Sequence, residues 1–299
     1  MQVLAAPANF PDVLLCRGLY QQRPTLPFTP GVEVCGKVLQ VGADVSEVSI
    51  GDRVIGTCVL PYGSFADEAL LNAAVTFAAP PGLDDAAASA FLIAYQTGWF
   101  ALHRRARIDR GETLLVHAAA GGVGSAAVQL GKAAGATVIG VVGGASKAAV
   151  AADLGADVVI DRNTQDVVAA VKEVTGSRGA DVVFDPVGGQ AYEQSTRCLA
   201  FEGRIVVIGF ASGVIPSPQL SHALVKNYSI LGLHWGLYTE RDPAAVRAAQ
   251  AELDRLAEAA VLSPLVSETV GFDNIPLMAQ RLADGATVGR VVWASGRAG

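Results

Sequence analysis

Hydrophobic positions along this chain follow two different rhythms. In the middle, short runs of nearly unbroken apolar residues alternate with Ala-rich stretches. The apolar runs are 113–118, 137–142, 157–160, 181–185, 204–209 and 229–234. Continuous apolar character, rather than period-two alternation, marks strands buried on both faces, so these segments predict parallel strands. The stretches 123–134, 146–154, 164–175 and 189–199 between them predict helices. Repeated strand–helix–strand units with short loops predict a doubly wound parallel sheet, and six strands match the two halves of a Rossmann fold.

The flanks read differently. The N-terminal part carries turn residues at Pro24, Pro27, Pro30 and Gly31 and short β segments at 34–41 and 52–59. After Trp235 come a long helix at 242–260, a turn at Ser263-Pro264 and a last strand at 289–293. The expected organisation is α/β: a Rossmann domain over 95–237 inserted into a mostly β catalytic domain built from 1–94 and 238–299.

Composition agrees with a buried core. The 299 residues are 51% hydrophobic and 17% charged, enough for two domains and unlike a disordered chain. The formal charge is −6 and no Lys/Arg stripe forms, which argues against a nucleic-acid partner. The basic cluster His103, Arg104, Arg105 and Arg107 reads as a solvated helix end. Cys16, Cys35, Cys58 and Cys198 have no paired spacing and read as reduced thiols of a cytoplasmic protein. The N-terminus lacks the pattern of a secretory leader. The uncharged stretch 114–131 is broken by His117, Gly121, Gly122, Gly124 and Gln129, so no membrane span is expected.

The strongest motif is Val116-His117-Ala118-Ala119-Ala120-Gly121-Gly122-Val123-Gly124, which leaves a predicted strand and opens a predicted helix. Glycines let backbone approach a pyrophosphate, and the helix N-terminus offers unpaired N–H groups and a positive dipole end. Ala119 stands where the first glycine of G-x-G-x-x-G would stand. Ala119, Ala120, Gly121, Gly122, Val123 and Gly124 are therefore expected to bind a dinucleotide. NAD would call for a carboxylate at the end of the second strand. That strand ends instead in Gly143-Gly144-Ala145-Ser146-Lys147, and Arg162 follows the third strand. Gly143, Ser146, Lys147 and Arg162 thus predict NADPH. Two charged contacts at about 1.5–3 kcal/mol each would give roughly 100-fold preference after a generous discount.

These segments, with Ala8-Asn9-Phe10-Pro11-Asp12, the run 27–36, Gly51-Asp52-Arg53-Val54, Asp185-Pro186-Val187-Gly188-Gly189 and Gly209-Phe210-Ala211-Ser212-Gly213, resemble the quinone oxidoreductase (zeta-crystallin-like) branch of the medium-chain dehydrogenase/reductases nearly end to end. The resemblance implies a GroES-like catalytic domain around the Rossmann domain, and a homodimer joined near 227–235. It also implies a further β segment before Gln2-Val3-Leu4, so the chain reads as N-terminally truncated, with a start placed too late.

In zinc-dependent relatives a Cys stands where this chain has Asn9 and a His where it has Val32, and their four-cysteine lobe has no counterpart here. No metal is expected, because Glu33 alone cannot hold an ion; a buried or hinge-side hydrogen bond is its expected role. Without zinc to stabilise an alkoxide, a conjugated acceptor is the easier substrate, since its developing charge spreads onto a carbonyl oxygen that hydrogen-bond donors can hold. By resemblance, Asn9, Tyr20 and Thr97 line the nicotinamide and substrate pocket, and Gly209 and Phe210 approach the nicotinamide. Leu14 stands where the family often has a second Tyr. Asp12 orients Asn9 or caps a turn. The expected activity is hydride transfer from NADPH to a quinone. An enoyl or 2-alkenal reductase is the alternative; a basic patch at the pocket mouth would favour an acyl-CoA substrate, and His103–Arg107 is the only candidate for one. An NADPH-binding protein without turnover is a further one.

Overall fold

A computed structural model of the chain describes residues 1–296. Residues 297–299, the end of the expected second catalytic segment, lie outside them. The chain divides into two compact units, one formed by Met1–Gln96 with Gly236–Gly299 and the other by Thr97–Trp235. In chain order the strands are β1 (Gln2–Pro7), β2 (Glu33–Lys37), β3 (Arg53–Thr57), β4 (Phe77–Ala78), β5 (Thr113–His117), β6 (Thr137–Val142), β7 (Val158–Asp161), β8 (Ala180–Asp185), β9 (Leu199–Val207), β10 (Ser229–Gly232), β11 (Val266–Val270) and β12 (Arg290–Ala294). The helices are α1 (Phe10–Cys16), α2 (Asp85–Ser89), α3 (Leu92–Trp99), α4 (Gly122–Ala133), α5 (Ala145–Asp153), α6 (Val167–Val174), α7 (Gly189–Arg197), α8 (Leu220–Lys226), α9 (Trp235–Arg241), α10 (Pro243–Glu258) and α11 (Ile275–Ala283). Among the described residues no helix is long and apolar enough to cross a membrane.

The first unit holds a sheet ordered β11-β12-β1-β2-β3-β4. Its core packs Val3, Ala6, Val34, Phe65, Met278, Val291 and Trp293. Its start and end therefore meet in one sheet: β1 runs antiparallel to both β12 and β2. The mostly β segment also contains α1, whose Pro11 sits in the first turn, where a missing N–H costs nothing. One expectation fails here. The strand expected over 34–41 stops at Lys37, because its partner β3 begins only at Arg53.

The second unit holds a parallel sheet ordered β10-β9-β8-β5-β6-β7. Order reverses between β5 and β8, which makes the carboxyl end of β5 the switch point where such sheets bind ligands. Leu115, Ile139, Val141, Ile160, Val183 and Ile205 form its core. One strand was longer than its apolar run suggested. β9 begins at Leu199 rather than 204, because exposed Phe201 and Glu202 interrupt the run.

Candidate functional site

The glycine turn grows directly out of β5. After His117 the chain bends through Ala118, which adopts φ 51°. A left-handed alanine costs about 1–2 kcal/mol, so the surrounding bonds must hold it. They do: Ala119 N–H donates to Val141 O at 3.1 Å and Gly121 N–H to Ala118 O at 2.8 Å. A side chain at Gly124 would collide with the Ala118 carbonyl oxygen. The turn is closed against itself, and only glycine fits there. The N–H groups of Gly122, Val123 and Gly124 form the first turn of α4, where a helix leaves donors without intrahelical acceptors. Ala119 is tolerated at the first glycine position because Gly140 on β6 faces it; a Cβ at Gly140 would lie 3.0 Å from that of Ala119. Backbone and donors fit a pyrophosphate.

At the next corner, Gly143 and Gly144 follow β6. Gly144 N–H donates to Asp161 Oδ1 at 2.8 Å, which ties this turn to the end of β7. The Arg162 guanidinium lies on Gly143: a Cβ there would sit 2.9 Å from Nη2 and 3.0 Å from Cζ. Lys147, in the first turn of α5, shares the corner. Burial, and then the Arg162 charge, push its ammonium below the ordinary lysine range. Gly143, Lys147 and Arg162 are thus brought together, with Ser146 exposed beside them. The carboxylate at this corner, Asp161, is engaged by main chain; the N–H groups of Gly144 and Asn163 hold its carboxyl below the usual range.

Two loops meet beyond β8 and β9. Asp185 Oδ1 accepts the N–H groups of Val187 and Gly188 at 2.9 Å each. Ala211 N–H donates to Pro186 O and Ser212 N–H to Val187 O, so the loop bearing Gly209 and Phe210 lies along 186–189. Below them, buried His117 Nε2 meets Ser195 Oγ at 2.8 Å. Ser195 gives its own proton to Ala191 O, so the shared proton belongs to His117 Nε2. Burial keeps this histidine neutral by lowering its pKa.

The first unit carries a second polar centre. Asn9, at the N-terminus of α1, is 2% exposed. Its Nδ2 donates to Glu33 Oε2 at 3.0 Å, and its Oδ1 accepts from Arg290 Nη1 at 2.6 Å. Glu33 Oε1 also accepts Ile93 N–H at 2.7 Å. The buried hydrogen bond expected of Glu33 is therefore real, and one of its partners is Asn9. Burial raises the Glu33 pKa, and the Arg290 charge opposes that rise. Asp12 touches the Asn9 main chain, not its amide: Oδ2 accepts Asn9 N–H at 2.8 Å and Oδ1 accepts Gly31 N–H at 3.1 Å. It thereby pins the start of α1 to the loop before β2. Burial pushes its carboxyl up to about 7. Tyr20 is half-buried; burial and then the Asp12 charge raise its pKa, so its hydroxyl stays a donor at neutral pH. Thr97 is buried on α3 and belongs to the second unit. The sequence reading missed Arg290 altogether.

Among the described residues, no group of three or more His, Cys, Asp and Glu side chains is arranged as a metal would need. The basic cluster does not lie at a ligand-binding edge. Residues 100–106 form a π-helical turn, and Arg204 Nε and Nη2 grip Ala106 O at 3.0 and 2.9 Å. Arg204 pairs with Val182 near the start of β8, so the cluster is anchored at the amino edge of the sheet. Arg104 and Arg105 are exposed there, as a solvated helix end should be.

The chain matches two family models, an alcohol dehydrogenase GroES-like domain over residues 1–81 and a zinc-binding dehydrogenase domain over 122–251. It is 37% identical over 286 residues to a quinone oxidoreductase-like protein 2 homolog of Nematostella vectensis, covering 95% of this chain and 78% of that one. Among solved structures it resembles Escherichia coli quinone oxidoreductase complexed with NADPH. The TM-score is 0.90 at 31% identity, over 98% of this chain and 90% of that one. It also resembles the CurK enoyl reductase, with TM-score 0.87 and 26% identity, over 99% of this chain and 90% of the other. A GroES-like domain interrupted by a Rossmann domain, and relatives matched along nearly the whole length, place the chain in the quinone oxidoreductase branch of the medium-chain dehydrogenase/reductase family.

Proposed function

We propose that the protein is an NADPH-dependent reductase that transfers a hydride to a quinone. The observation that carries this reading is the glycine cradle of Gly121 and Gly124 followed, one strand over, by Arg162 against Gly143, with Lys147 close enough to feel its charge. The first-turn N–H groups of α4 would hold the pyrophosphate, with Ala119 and Ala120 completing the turn. Lys147 and Arg162, assisted by Ser146, would hold a 2′-phosphate. NADPH bound there would supply the hydride. A neighbour solved with NADPH supports the same cofactor.

The chain's own contribution is to hold charge on the acceptor. Two-electron reduction of a quinone takes one hydride and one proton and leaves a hydroquinone. Negative charge develops on the quinone oxygen, and preorganised donors stabilise it. Asn9 has one Nδ2 hydrogen beyond the one on Glu33, and Tyr20 keeps its hydroxyl proton at neutral pH. Thr97 would steady the nicotinamide, and Gly209 and Phe210 would border it.

A second reading, reduction of an enone or 2-alkenal, uses the same donors on an enolate oxygen, and the enoyl reductase neighbour favours it. The anchorage of the basic cluster at the amino edge of its sheet removes the argument for an acyl-CoA substrate. For assembly, the edge strand β10 follows α8, whose Leu220, Leu224 and Val225 are 77%, 78% and 78% exposed. An open strand edge beside apolar side chains supports a homodimer through this face. The four unpaired cysteines support a cytoplasmic setting.

The test is NADPH oxidation against 1,4-benzoquinone, 9,10-phenanthrenequinone, a 2-alkenal and crotonyl-CoA. Turnover of the quinones is expected. Turnover of the CoA ester alone would overturn the quinone reading.

A further inference from the structure

Both ends of the Asn9 amide are committed. Arg290 Nη1 has only hydrogens to offer, so the atom it meets must be Oδ1. A Glu33 carboxylate only accepts, so the atom it meets must be Nδ2. Flipping the amide would set N–H against the guanidinium and C=O against the carboxylate, turning two charge-assisted bonds into two repulsions. The clamps are themselves fixed: Glu33 by Ile93 N–H, Arg290 by Ala8 O at 3.2 Å. Asn9, Glu33 and Arg290 are 2%, 0% and 6% exposed, so water hardly competes.

Arg290 is expensive for a structural residue. Its Nε and Nη2 have no partner among the described residues, although both are buried. Breaking even on stability alone would favour an apolar side chain of similar volume. What the arginine adds is direction and charge. A cation on Oδ1 draws electron density from the amide and makes the remaining N–H a stronger donor.

We infer that Arg290 and Glu33 are positioning residues for the reduction, locking the Asn9 amide so that its second N–H is presented to the substrate oxygen. The inference rests on the reading of Asn9 as an oxygen donor. It predicts that the arginine matters only while Asn9 is present.

The full chain is made as Asn9→Ala, Arg290→Met, Arg290→Lys, Glu33→Gln and the double variant Asn9→Ala/Arg290→Met. Rates are measured with NADPH and 9,10-phenanthrenequinone, alongside NADPH affinity by fluorescence and thermal unfolding. Arg290→Met should lower kcat/KM by about 10- to 100-fold with NADPH affinity unchanged, the usual range for a misplaced donor. Arg290→Lys, which keeps a donor and the fold, should recover most of that loss, and Glu33→Gln should fall in between. In the double variant the arginine change should add less than about 3-fold to the Asn9→Ala defect. Penalties that multiply, or an Arg290→Met enzyme as fast as wild type, overturn the inference. If the wild type reduces no conjugated carbonyl, the functional reading falls instead. The clamp is then read from the ¹⁵N-labelled Asn9 side chain. A slowly exchanging amide pair in wild type and Arg290→Lys that broadens in Arg290→Met supports it, and an unchanged pair in Arg290→Met overturns it.

Discussion

Substituting Gly143 with alanine separates cofactor choice from stability. Gly143 lies outside the left-handed region, so alanine is conformationally acceptable there. Its new Cβ would sit 2.9, 3.0 and 3.3 Å from Arg162 Nη2, Cζ and Nη1. What gives way is the tip of a flexible, exposed side chain, so the fold is spared. Gly→Ala at a compatible site raises stability by about 0.4–1 kcal/mol through the unfolded chain. The guanidinium, however, must leave the place where it would meet a 2′-phosphate. A charge-assisted bond is worth about 1.5–3 kcal/mol, and exposure to salt roughly halves that. Removing it entirely by Arg162→Gln should weaken NADPH binding by about 5- to 10-fold; displacing it by Gly143→Ala should cost about 3-fold. NADH, which lacks the phosphate, should bind both variants as it binds wild type. Calorimetric titration with both nucleotides at two salt concentrations checks this, and the NADPH advantage should widen at low salt. Equal losses for NADH and NADPH, or an unchanged ratio in Arg162→Gln, would refute the assignment of this corner.

Gly124→Ala places its Cβ against the Ala118 carbonyl, so it should abolish NADPH binding in a fluorescence titration; retained affinity would mean the turn is not the pyrophosphate site. Asp12 predicts a pH dependence of stability. Burial lifts its carboxyl from the ordinary 3.8 to about 7 in the folded chain, so the fold retains this proton more tightly than the unfolded state does. That stabilisation is intact below 3.8 and fades as pH rises to about 7, by roughly 4 kcal/mol at most. Urea unfolding of wild type should weaken between about pH 4 and about pH 7, and Asp12→Asn should flatten the slope; equal slopes would contradict it. Leu224→Glu with Val225→Glu should convert a dimer to monomer in sedimentation, and an unaltered mass would move the interface elsewhere.

What could be read from sequence was what is local in sequence. The turn from Ala118 to Gly124 is strand, bend and helix start in one short stretch, and each residue's part follows from its neighbours. Arg162 could be placed beside Gly143 because parallel strands β6 and β7 end side by side. α1 escaped notice for the opposite reason. Its seven residues are too few to show a helical period, and Pro11 reads as a turn until its place in the first turn is known. The length of β9 was hidden by its exposed start.

The centre around Asn9 was only half visible, and the missing half lay at the far end of the chain. Arg290 meets Asn9 across 281 positions, a distance no local pattern spans. Yet both clamps left a trace. Glu33 opens β2, whose next three residues are all buried, and Arg290 opens β12 in the same way. A charged side chain at the head of a strand whose pattern demands burial must find a partner, because an unpaired buried charge costs several kcal/mol. β3 opens on Arg53 likewise, and Arg53 finds Asp85; Glu33 and Arg290 both find Asn9. His117 follows the same rule at the far end of β5, where every residue is buried and Ser195 answers it. The polar residue that breaks an apolar run, rather than the run itself, is where the sequence announces chemistry.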